Sequence, residues 1–154
     1  MSRKKVALIT AGTVAGIGIA AAIAVPAAND WLANRHQQTS SYATGAEAKA
    51  ARTSVPRWLA DDAKSVSYSM KTTGGERLLK ATLPGGKPPA RCETVPASQA
   101  KEIQIGAAWF PKDARGKASL RCGTYYGYMD GGDTFYAWQH QEDLVAGERT
   151  NAAP

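Results

Sequence analysis

The chain has 154 residues, 44% of them hydrophobic and 21% charged, with a formal net charge of +6. Three basic residues precede position 28 and all acidic residues follow it, which leaves 16 basic against 13 acidic residues beyond that point, a net +3. So mild and dispersed a charge excludes an electrostatic nucleic-acid binder, which needs basic residues clustered on one face; weak attraction to anionic cell-surface polymers is compatible with it.

Met1 to Lys5 form a short basic head. Val6 to Ala28 then run 23 residues without a charge. At about 1.5 Å per residue, a helix of that length crosses a bilayer core of roughly 30 Å. The basic head stays cytoplasmic by the positive-inside tendency, so everything after the span is exported. An uncleaved signal anchor over 6–28 is the first reading, because the apolar run is long for a signal peptide. Cleavage after Val25-Pro26-Ala27, giving a secreted protein, is the alternative. Gly12 and Gly16 make a G-x-x-x-G match inside the span, a spacing that lets two helices approach closely and dimerise.

Residues 29–54 read as a polar, Ala-rich stalk, helical and then fraying before Pro56, with Trp31 at the membrane–water interface. The folded domain is expected over 55–140. Trp58 and Leu59 open it as the first large apolar pair. Lys64 to Thr72 alternates strictly, with Val66, Tyr68 and Met70 on one face, the mark of a half-buried strand. Thr73-Gly74-Gly75 is a turn signal, and Arg77 to Leu83 returns as the second strand of an antiparallel hairpin. Pro84 to Pro89 is a loop.

Ile103 to Phe110 reads as a short strand stopped by Pro111. Ala118 to Met129 reads as one long strand carrying Leu120, Cys122, Thr124, Tyr126 and Tyr128 on one face. Asp130-Gly131-Gly132-Asp133 is a hairpin turn, and Thr134 to Gln139 is the last strand. Residues 141–154 read as a loose polar tail. The fold class is β-dominated α+β: a transmembrane helix and helical stalk, then a small antiparallel β-domain of four or five strands with one disulfide.

Cys92 and Cys122 are the only cysteines and both lie in the exported part. In an oxidising compartment an even count reads as a disulfide. Closing a loop of that size contributes about 3–4 kcal/mol in the chain-entropy model. A metal site would need more ligands, since His36 and His140 are far apart in the sequence, and no cofactor signature is present. Ser98 to Lys101 matches S-x-x-K, but the K-T-G-like Lys71 to Gly74 precedes it, and the chain is far too short for a penicillin-binding fold. Asp61-Asp62 and the Asp130/Asp133 pair suit turn chemistry better than catalysis or calcium. An enzyme built on Asp61, Asp133 or His140 would need those groups to converge in one cleft.

The most suggestive cluster is aromatic. Tyr125, Tyr126, Tyr128, Phe135, Tyr136 and Trp138 fall on one expected hairpin. On alternating strands about half of them must face away from the core, and those that do among Tyr125, Tyr126, Tyr128, Tyr136 and Trp138 are the candidate contact residues for a sugar or a protein. Packing on both faces for stability is the competing reading. The sequence thus supports a non-enzymatic, membrane-anchored extracytoplasmic interaction domain, its partner an envelope protein or a wall polymer. The alternative is a cell-wall or carbohydrate-binding module that uses the aromatic hairpin.

The run Val55 to Ala63, the hairpin KTTGGERLLKATL, Arg91-Cys92 and the ending DTFYAWQ resemble uncharacterised small exported proteins of high-GC Gram-positive (actinobacterial) bacteria. The resemblance covers most of the chain. It implies a localisation and a domain boundary, and carries no catalytic residue.

Overall fold

The computed structural model describes residues 35–152, with side chains through 147. The expected basic head, the span 6–28 with Gly12 and Gly16, and Trp31 lie outside the described residues. Among the described residues no helix is long and apolar enough to cross a membrane.

Residues 37–152 build one seven-stranded antiparallel sheet: β1 Gln37–Thr44, β2 Lys64–Lys71, β3 Arg77–Thr82, β4 Cys92–Thr94, β5 Leu120–Cys122, β6 Tyr125–Asp130 and β7 Thr134–Gln139. The spatial order is β1-β2-β3-β7-β6-β5-β4. Short helices are α1 Gly45–Ala51, α2 Ala114–Lys117 and α3 Gln141–Ala152, with a 3-10 turn at Ala97–Gln99. The two expected hairpins form, β2–β3 across Thr73-Gly74-Gly75 and β6–β7 across Gly131-Gly132. Cys92 and Cys122 are directly paired across β4 and β5 and form the disulfide.

Both faces of the sheet are covered. On the first, Val66, Tyr68, Leu79, Ala81, Phe135 and Ala137 pack under residues from 48 to 63, chiefly Ala48, Val55, Leu59 and Ala63. A Cβ at Gly127 would stand 2.7 Å from the Tyr136 carbonyl and 3.0 Å from the Phe135 ring, so only glycine leaves that ring its place. On the second face, Leu78, Tyr126, Tyr128 and Trp138 pack under Ala100, Phe110, Ala114 and Ala118.

Four expectations are corrected. The stalk is not a stalk over its described part: 37–44 is the edge strand β1, paired with β2 along its length, and 45–51 is a helix packed on the sheet. β1 is polar because its inward set, Gln38, Ser40 and Tyr42, is gathered by one guanidinium. Arg52 donates to Gln38 Oε1 at 3.0 Å, Ser40 Oγ at 3.1 Å and Tyr42 OH at 3.2 Å. Thr44 caps α1 by accepting from the Glu47 amide, a T-x-x-E signal at the boundary.

The long strand over 118–129 is two strands joined by a two-residue turn at Gly123-Thr124. Gly123 has φ +61, at the first central position that type II′ hairpins reserve for glycine. The turn reverses the chain, so Leu120 and Cys122 share the first face with Tyr125, while Tyr126 and Tyr128 face the other way. The segment 103–110 joins no strand ladder. It crosses the second face extended, with Ile103, Ile105, Ala107 and Trp109 partly buried and their neighbours Glu102, Gln104, Gly106 and Ala108 exposed. Its alternation is real but reports which side faces the sheet, not strand pairing. The expected loose tail opens as α3, with Asp143 buried.

Candidate functional site

The aromatic hairpin is not an exposed contact surface. Tyr125, Tyr126, Tyr128 and Trp138 are all 3% exposed or less. Alternation does send them to opposite faces, but 45–63 and 95–118 cover both. They hold the fold together instead. Trp58 meets Tyr125 and Phe135 edge-on at 5.5 and 5.8 Å, and Tyr128 stacks on Tyr136 at 5.4 Å. Tyr136 alone of the five stays half-buried, under the Lys80 ammonium at 5.6 Å. Burial pushes the Tyr125 phenol well up, with Tyr68 adding to it, and raises Tyr126 as well.

The acidic and histidine candidates do not converge. Asp61 pairs with Lys49 at 2.5 Å beside α1. Asp133 sits at the β6–β7 turn, and His140 follows the other end of β7, about 20 Å along a strand of that length. No group of three or more His, Cys, Asp or Glu among the described residues is placed to hold a metal.

Two features that sequence reasoning missed lie at the end of the sheet where β7 runs into α3. The first is an ionic cluster around a buried acid. Asp143 Oδ1 accepts from Lys101 Nζ at 3.1 Å and Arg121 Nη2 at 3.3 Å, and Arg121 Nη1 donates to Tyr126 OH at 2.7 Å. The Asp143 carboxylate holds the Lys101 ammonium above its usual pKa, against some desolvation. Trp138 Nε1 donates to the Lys101 carbonyl at 3.0 Å, tying the cluster to the second face. These contacts dock the first turn of α3. The acid stands in what reads as a tail and both cations are distant in sequence, so no local pattern announces the cluster.

The second is an open cleft of about 430 Å³ on the first face, with Trp58, Tyr125, Thr124 and Gln139 among its walls. Arg57, Arg77 and Arg91 all line it, and among the described residues no carboxylate does. Arg77 is held in place, its Nη1 donating to the carbonyls of Lys71, Gly74 and Glu76 at 3.0, 2.8 and 2.8 Å. Arg57 and Arg91 are exposed, and none of the three guanidinium groups forms an ion pair with a described residue. One wall is braced from behind: Thr124 Oγ1 donates to Gln139 Oε1, and Gln139 Nε2 donates to the Gly75 carbonyl at 2.6 Å. The disulfide joins two parts of the rim, since Arg91 precedes Cys92 and Gly123 follows Cys122. Three arginines spaced 14 and 20 residues apart leave no signal in a charge profile; only the topology brings them together.

Comparison with family models, with curated proteins and with solved structures gave no match.

Proposed function

We propose that this chain is a non-enzymatic, membrane-anchored extracytoplasmic interaction domain, held by residues 6–28 and presenting the arginine-lined cleft to a partner in the cell envelope. The observation that carries the binding part is this cleft, lined by three arginines and, among the described residues, by no carboxylate. Unpaired charges gathered in one concavity focus potential outward and draw an opposite charge in. The disulfide supports the extracytoplasmic part, because such bonds persist in oxidising compartments and are rare in a reducing cytosol. The apolar run supports the anchor by its length.

The address is tested on native cells by fractionation and intact mass, with alkylation before and after reduction. A full-length mass in the membrane fraction is expected, with both cysteines unreactive until reduced and the domain digested by protease added from outside. A mass starting near Ala28 in the medium would make the protein secreted. Full-length protein in the cytosol with freely alkylated cysteines would overturn the reading.

A further inference from the structure

We infer that the arginine-lined cleft is a binding site for a phosphate group. The inference deepens the proposed function, resting on its claim that the cleft is the binding surface. Each guanidinium offers N–H donors in a planar fork that matches the oxygens of carboxylates and phosphates, and Arg77 keeps its Nε and Nη2 for this while Nη1 is bound to carbonyls. The choice between those two anions follows from number and charge. A carboxylate brings one charge and two oxygens in a plane, enough for one fork. A phosphate monoester brings nearly two charges and three acceptor oxygens splayed in three directions. A cleft with three cations and no acid is matched by the second.

Part of the site is already organised. Three carbonyls fix Arg77 through a single nitrogen, and its Nε and Nη2 have no hydrogen-bond partner among the described residues. A group held in advance loses little freedom on binding. Arg57 and Arg91 are free of ion pairs among the described residues and supply the adjustable arms. The disulfide limits how far Arg91 can wander from Gly123-Thr124. Trp58 lines the same cleft and offers its ring to whatever carries the phosphate. That carrier is a phosphate monoester, because a phosphodiester, like a carboxylate, brings only one charge and two free oxygens.

The test is calorimetric titration of the full chain in a neutral detergent at constant ionic strength. The probes are inorganic phosphate, glycerol 1-phosphate, glycerophosphoglycerol and acetate. Saturable binding of inorganic phosphate and glycerol 1-phosphate, at least tenfold tighter than acetate, is expected. Glycerophosphoglycerol, a diester with one charge and two free oxygens, should bind more weakly than glycerol 1-phosphate; binding as tightly or tighter would overturn the assignment to a monoester. Arg57→Gln and Arg91→Gln should each weaken binding by about tenfold, the usual size of a lost hydrogen bond to a charged group. Arg57→Lys and Arg91→Lys, which keep the charge and lose the fork, should fall between. Absence of saturable binding by the wild type, acetate binding as tightly as phosphate, or unchanged affinity in the folded Gln variants would overturn the proposal. Binding is read on the purified chain and address on intact cells, so each can fail without the other.

Discussion

The first face of the sheet is sealed by apolar packing under 45–63, while the second is closed by an extended segment fastened as well by side-chain hydrogen bonds to its carbonyls. On the first, Val55, Leu59 and Ala63 press onto Leu79, Phe135 and Ala137, with α1 adding Ala48. On the second, 95–118 has little regular structure and few ladder bonds of its own. It is fastened by Trp138 Nε1 on the Lys101 carbonyl at 3.0 Å, Arg115 Nε on the Ala100 carbonyl at 3.0 Å and Gln37 Nε2 on the Gly106 carbonyl at 2.7 Å. A face can therefore be closed without a long helix or a second sheet, provided the segment alternates and a few side-chain donors hold its carbonyls. The two modes differ in where stability is concentrated, and substitutions can tell them apart.

The largest expected effect is on the first face. Phe135 is fully buried, meets Trp58 edge-on at 5.8 Å and fills the space left by Gly127. Phe135→Ala should cost about 3–5 kcal/mol, the range for removing a buried ring. Urea denaturation followed by tryptophan fluorescence measures it. Because the packing is shared across β3, β6 and β7, unfolding should stay one cooperative transition at a lower midpoint. A loss under about 1 kcal/mol would show that the site collapses around the gap and that the first face is not the dominant core.

A smaller and more local effect is expected on the second face. Trp138→Phe keeps most of the ring but removes the donor to the Lys101 carbonyl. The cost should be about 1–3 kcal/mol, combining a lost hydrogen bond with a small cavity. Hydrogen exchange gives the sharper reading. Amides in 95–118 should exchange faster while those of β2 and β3 keep their protection. Equal acceleration on both faces would mean that the segment and the sheet unfold together, and the contrast between the two modes would fall.

The same contrast explains what the sequence announced. β2 and β3 were legible because Val66, Tyr68 and Met70 alternate beside a Gly-Gly turn, and β6–β7 because Gly131-Gly132 separates two aromatic runs. β1 was not, because its inward residues are polar and satisfied by Arg52, so hydropathy sees a spacer where hydrogen bonding makes a strand. The disulfide was legible from number and compartment alone. The aromatic residues are legible as a cluster on one hairpin, but their burial is not. Judging exposure required knowing that 95–118 covers the second face, and nothing in one strand's pattern says what lies over it. The arginine cleft was invisible for a related reason. Its residues come from the first cover, the start of β3 and the approach to β4, and chain separation hides their proximity.

The smallest effect concerns the tyrosines placed back to back on β6, Tyr125 on the first face and Tyr128 on the second. Burial raises the Tyr128 phenol, with Asp130, Tyr136 and Asp113 adding to it, to about 12. An unfolded tyrosine titrates near 10. The folded state thus resists ionisation: its stability is intact below about 10 and is lost as pH rises through about 12. Tyrosinate absorbance and circular dichroism should show Tyr125 and Tyr128 ionising together with alkaline unfolding. Tyr128→Phe separates the contributions. The Tyr128 hydroxyl is buried without a hydrogen-bond partner among the described residues, so removing it should change neutral-pH stability by less than about 1 kcal/mol. It also removes one group whose ionisation drives unfolding, so the alkaline midpoint should move up. A midpoint that falls instead would mean the hydroxyl stabilises the second face, and the account of Tyr128 as a purely apolar contact would have to be given up.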